Sequence, residues 1–215
     1  MNEELKENLY KIINELPDEC SWLDYKEIPY LDKQRAEFIR DLCAFLNSNE
    51  SFEQDKYIIL GVTNDKKTIG IRSVPMQDDS WYQNLADYIF PRPSIRTGTF
   101  KYTINDTDIE FGYILIYGTN VDRIYEINRQ AYYGPEKPSS QSEVEEYSVY
   151  PSTAWIRIGS CKRFLTEYDR RKIHDNNRKN ELDIKTIISD YQSLNLSSDN
   201  EKIIKAVTLF GGWDE

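Results

Sequence analysis

A chain of 215 residues is long enough to bury a sizeable core without disulfide or metal staples. Its 37 acidic residues against 27 basic ones leave a formal net charge of -10 at pH 7, which excludes indiscriminate nucleic-acid binding, because phosphate contacts need local lysine and arginine. Cys20, Cys43 and Cys161 show neither C-x-x-C nor Cys/His ligand spacing, so a disulfide framework and a structural zinc site are not expected. A reducing cytoplasm is the natural compartment. Acids occupy the N-terminus where a secretory signal needs bases, and no stretch approaches the length of a membrane span, so no membrane partner is expected.

In chain order, Leu5, Leu9, Ile12, Ile13 and Leu16 repeat at helical spacing until Pro17 stops the pattern. A strand follows around Leu23–Lys26. Asp32 is placed to cap a second helix with an apolar stripe of Ala36, Ile39, Leu42, Cys43 and Leu46, ending at Asn47. Lys56 to Val62 is a short run of β-branched and aromatic residues that predicts a central strand, followed by a turn in T-N-D-K-K. Ser80 opens a third helix closed by F-P-R-P. Residues 97–104 and 108–117 read as a hairpin around N-D-T-D, with a further strand at 123–127. The stretch 134–147 lacks periodicity and predicts weak order. Thr153–Ile158 reads as the last clear strand, Thr166 opens a basic helix, and two more helices are expected at about 182–193 and 199–210. The fold class is therefore α+β, with residues 1–178 as one domain and 179–215 as a C-terminal helical extension.

Side chains alternate along a strand, so in E-C-S-W-L-D-Y-K-E the residues Trp22, Asp24 and Lys26 share one face and Leu23 and Tyr25 the other. An acid and a base beside a tryptophan fit either a solvated edge or a catalytic carboxylate with its own lysine. The L-D-Y-K-E strand, the segment R-A-E-F-I-R-D-L-C-A-F-L-N-S leading to Y-I-I-L-G-V-T-N-D, and A-W-I-R-I-G-S together resemble the Schlafen AlbA-like domain over roughly residues 15–175. That resemblance implies a mixed, mostly antiparallel sheet flanked by helices. In the family's nuclease members it implies a three-carboxylate, divalent-metal site that cuts structured RNA such as tRNA, in defence against viruses; other members only bind nucleic acid. Carried over by position, Glu19, Asp24 and Asp65 would hold Mg²⁺ or Mn²⁺, with Asn64 competing for the third place, and Lys26 would orient the phosphate. Asp24 is one methylene shorter than the usual Glu, and E-S-F-E-Q-D-K replaces the usual Gly-Gly before the central strand.

From Ile156 to Lys179 eight basic residues face three acidic ones, an island of positive charge in an acidic chain. Within it Arg157, Lys162, Arg163, Arg170, Arg171 and Lys172 are the candidate nucleic-acid contacts, with RNA favoured over DNA by the resemblance. Tyr132 and Tyr133 are candidate stacking residues, although most tyrosines read as sheet residues. His174 is the sole histidine, so a histidine-based site would rest on that one residue. A single lobe of this family would need a second copy, as a homodimer, or a partner protein to complete a groove.

Overall fold

The computed structural model describes residues 2–48, 54–71, 74–118 and 123–175. Met1–Thr166 form one unit and a second begins at Glu167. In chain order the first unit contains α1 (Glu3–Glu15), β1 (Leu23–Lys26), α2 (Arg35–Leu46), β2 (Lys56–Leu60), α3 (Asp79–Ala86), β3 (Ile89–Phe90), β4 (Ile95–Ile104) and β5 (Thr107–Ile116). It continues with β6 (Glu126–Ile127), β7 (Ala131–Tyr132), α4 (Gln141–Glu146), β8 (Ser148–Val149), β9 (Trp155–Ile158) and β10 (Cys161–Phe164).

The central sheet runs β1-β2-β5-β4, with β1 parallel to β2 and the other pairs antiparallel, so it is mixed and mostly antiparallel. Alternation along the strands gives the sheet two apolar faces. Leu23, Tyr25, Tyr57 and Ile59 meet Leu9, Ile12 and Ile13 of α1 on one side. Ile58, Leu60, Ile114 and Ile116 meet α2 and α3 on the other. Each helix boundary has a local cause. Asn2 accepts the Leu5 N–H at 3.2 Å to open α1, and Leu16, in the left-handed region at φ 42°, returns its N–H to Ile12 and ends it. The β4–β5 turn places Asn105 and Asp106 at φ 49° and 60°, the two positive dihedrals that a two-residue hairpin of this twist requires.

Helix α2 is the spine of the unit. Nine of its twelve residues are buried. Asn47, fully buried at its end, donates from Nδ2 to the Tyr125 and Trp155 carbonyls at 2.8 and 2.9 Å and accepts the Tyr125 N–H at 2.8 Å. One amide thus ties two chain segments far along the sequence to the helix end.

Four expectations change. Asp32 does not cap α2: a 3-10 turn, Asp32–Gln34, precedes the helix, and the Asp32 carboxylate turns to Arg35 and Trp81. Helix α3 is capped by Asp78, which accepts the Trp81 N–H at 2.9 Å, and not by Ser80. The stretch expected to be weakly ordered contains α4, opened by Ser140 and closed by Arg40, which donates to the Glu145 and Glu146 carbonyls at 3.0 and 2.7 Å. A cation meeting the carbonyl end of a short helix supplies order that no periodicity announces. Strand β10 follows the one read as last, because Gly159, at φ 57°, reverses the chain into a hairpin. In the second unit residues 167–175 are helical, while the helices expected at 182–193 and 199–210 lie outside the described residues.

Candidate functional site

Strand β1 is an edge of the sheet, and its outer backbone groups are met by side chains instead of another strand. Glu19 Oε1 accepts the Tyr25 N–H at 3.2 Å. Arg157, from β9, donates from Nε to the Cys20 carbonyl at 2.8 Å and from Nη2 to the Leu23 carbonyl at 3.3 Å. The same Nη2 donates to Asp24 Oδ1 at 2.8 Å. Arg157 is only 5% exposed, and its guanidinium lies 4.7 Å from the centroid of Phe45. The residue expected to reach a phosphate is therefore turned inward, because the β9–β10 hairpin packs against α2 and delivers it to unpaired carbonyls.

Lys26 lies on the same face as Asp24, as the alternation of a strand requires, whereas Trp22 is carried away to the α1 side by a tight turn at Ser21–Trp22. The Lys26 ammonium stands 3.3 Å from Asp24 Oδ2, 3.6 Å from Glu37 Oε1 and 3.5 Å from Asp41 Oδ2. Asp24 Oδ2 makes no hydrogen bond and meets that ammonium only as an ion pair. Burial works against the Lys26 charge, but Asp41, Asp24 and Glu37 outweigh it and hold the ammonium above its ordinary value. Asp41 is 4% exposed. Burial alone would raise it; Lys162 and Lys26, with hydrogen bonds from Lys162 and Tyr30, keep its carboxyl below the ordinary 3.8. The Tyr30 hydroxyl donates to Oδ2 at 2.7 Å, and Lys162 is ion-paired with Oδ1. Three acids and three bases thus close on one another around β1 and α2.

Asp65 and its competitor Asn64 sit exposed in the turn after β2. The neighbouring Lys66 is ion-paired with Asp18, so the loops bearing Glu19 and Asp65 meet. Their carboxylates do not combine with Asp24: among the described residues no group of three or more His, Cys, Asp or Glu side chains is arranged to hold a metal ion. As placed, Glu19 caps a backbone N–H, Asp24 faces two cations and Asp65 faces solvent, a donor set that does not fit Mg²⁺ or Mn²⁺.

The basic island is divided in the same way. Lys162 is committed to Asp41, and Arg163 is exposed and donates to the Phe164 carbonyl at 2.9 Å. In the second unit Arg171 pairs with Glu167 across one helical turn at 3.3 Å, Lys172 is exposed, and Arg170 is half-buried. The sequence reading missed Asp41, Glu37, Tyr30 and Arg40. For Asp41 there was a signal: with Phe38 and Phe45 it forms an i, i+3, i+7 series, which puts an acid inside an apolar stripe. Lys33, Gln34, Glu37, Arg40, Glu146, Tyr147 and Lys162 line a cleft of about 420 Å³ beside this network.

The family profile Schlafen, AlbA_2 matches residues 19–166, more than half of the chain. The chain belongs to the Schlafen AlbA_2 family. Membership points to a nucleic-acid-binding role, and the matched stretch ends with the first unit. No curated protein matches the chain. Among the described residues of this Schlafen AlbA_2 chain no helix is long and apolar enough to cross a membrane.

Proposed function

We propose that this chain is a non-catalytic nucleic-acid-binding module for structured RNA such as tRNA. The observation that carries this reading is the state of Asp24. The acid at the family-matched position is buried, bound through Oδ1 to Arg157 and held through Oδ2 beside Lys26. A carboxylate neutralised in this way supports a structural role, since freeing it for a ligand leaves a buried guanidinium unpaired. Lys33, exposed in the lining of the 420 Å³ cleft, is the first unit's cation offered to phosphates, and Lys172, exposed, is the second unit's. RNA over DNA, and a second copy completing a groove, rest on the resemblance; light scattering reads the latter.

The test is incubation with total tRNA in Mg²⁺, in Mn²⁺ and in chelator, with binding followed between about 50 and 200 mM salt. Binding that weakens steeply with salt, with the RNA intact in every condition, is expected. The second reading is a metal-dependent endoribonuclease. It is favoured by one observation, that the buried Asp24 Oδ2 lacks a hydrogen bond and meets only the Lys26 ammonium. Metal-dependent fragments that disappear in Asp24→Ala would replace the first reading with the second.

A further inference from the structure

Five side chains of the first unit, two guanidiniums and three rings, follow one another in contact. The Arg129 guanidinium lies 4.0 Å from the Tyr88 ring centroid. The Tyr88 and Tyr133 rings stand 6.2 Å apart at 61°. The Arg35 guanidinium lies 5.6 Å from Tyr133 and 5.8 Å from Trp81. The order along the strip is therefore Arg129, Tyr88, Tyr133, Arg35, Trp81, drawn from α2, α3 and three connecting segments.

The strip is held in place before any ligand arrives. Asp32 Oδ1 accepts from Arg35 Nε and Nη2 at 3.1 and 2.6 Å and from Trp81 Nε1 at 3.0 Å, fixing a cation and a ring with one carboxylate. The hydrogen bonds from Trp81 and Arg35 keep that carboxyl below its ordinary value, so it stays charged. At the other end Asn128 donates its N–H to the Tyr88 carbonyl at 2.9 Å and Nδ2 to the Asp87 carbonyl at 3.0 Å, locking the segment that bears Arg129 to the one that bears Tyr88. Trp81, Tyr88 and Tyr133 pack partly on the core, so their rings are anchored and only partly buried. Arg129 is exposed and makes no ion pair among the described residues.

We infer that this strip binds an unpaired, single-stranded stretch of nucleic acid. Rings and guanidinium planes accept bases by stacking, and that contact tolerates any sequence. A duplex keeps its bases stacked inside and has none to offer. The Arg129 plane, backed by Tyr88, takes a base, and Arg35, held by Asp32 through Nε and Nη2, presents Nη1 to a backbone phosphate. In a chain of net charge -10 such a strip needs stacking as well as charge to hold a polyanion. The inference rests on the nucleic-acid-binding reading and narrows it to single-stranded segments, such as the loops and ends of a folded RNA.

Fluorescence anisotropy with a labelled single strand of about ten nucleotides, made as RNA and as DNA, and with a blunt duplex of the same sequence, tests it. Arg129→Lys keeps the charge and removes the plane. Because Arg129 is exposed, the variant melts like the wild type. The expected result is single-strand binding about tenfold weaker in the variant, with duplex binding unchanged. If tRNA is bound but the variant holds the single strand as tightly as the wild type, this inference fails and the binding module stands. If the wild type binds neither tRNA nor the single strand, the underlying reading fails and takes this one with it.

Discussion

Around β1 and α2 three acids and three bases lie against one another, whereas along the strip from Arg129 to Trp81 two guanidiniums lie over partly buried rings. Both regions are built from conventional charged residues, and their uses are opposite. In the first, each charge is matched by a neighbour and serves to fasten the edge strand to α2 and to β9. In the second, the cations are fixed from one side and open on the other. Density of basic residues along the chain is therefore a poor guide to availability. The richest basic segment commits Arg157 and Lys162 to the interior, while Arg129, from unremarkable surroundings, is exposed.

The comparison is broken most sharply by Arg157→Ala, which leaves Asp24 buried beside Lys26 alone and strands the Cys20 and Leu23 carbonyls. A loss of about 3–5 kcal/mol is expected in urea unfolding. Replacing Asp24 and Arg157 together by leucine should recover much of that loss, and a double variant as unstable as Arg157→Ala would contradict the pairing. Next in size is Lys56, fully buried at the start of β2, whose ammonium burial pushes down to about 8 against the pull of Asp55. The unfolded chain keeps its ordinary value of 10.5, so between pH 8 and 10.5 the unfolded state binds more protons and stability should rise with pH. That contribution is on the order of 3 kcal/mol, and it should be missing from the pH profile of Lys56→Met.

Asp41→Asn tests the same interior more gently. Loss of its charge-assisted bonds to Tyr30 and Lys162 should cost about 1.5–3 kcal/mol at neutral pH. Because the folded carboxyl lies below its ordinary 3.8, its contribution is present above that value and lost as pH falls through the depressed one, so the gap between variant and wild type closes in acid. On the outer strip the expectation reverses. Arg129→Ala should change stability by less than about 0.5 kcal/mol while weakening single-strand binding. An unfolding midpoint that drops as far as that of Arg157→Ala would erase the distinction between the two regions.

Much of the scaffold was legible from local pattern. The stripe of α1, the turn chemistry of Asn105–Asp106 and the β-branched run of β2 each contain their own cause within a few residues, so a reading of neighbours suffices. Helix α4 and strand β10 were not legible. One depends on Arg40, about a hundred residues earlier, and the other on a glycine reversal whose partner strand is amphipathic in neither register.

The candidate site divides along the same line. The sequence by itself determined that Asp24 and Lys26 share a face, because a strand has period two whatever surrounds it, and that the chain resembles the Schlafen AlbA-like domain. Only the tertiary structure decided that Arg157 closes on Asp24, that Asp41 joins Lys26 and Lys162, and that rings and guanidiniums from five segments form a strip. A carboxylate's partner is set by which cation the packing of helix and hairpin carries to it, and such long-range neighbours leave no mark in the order of residues along the chain.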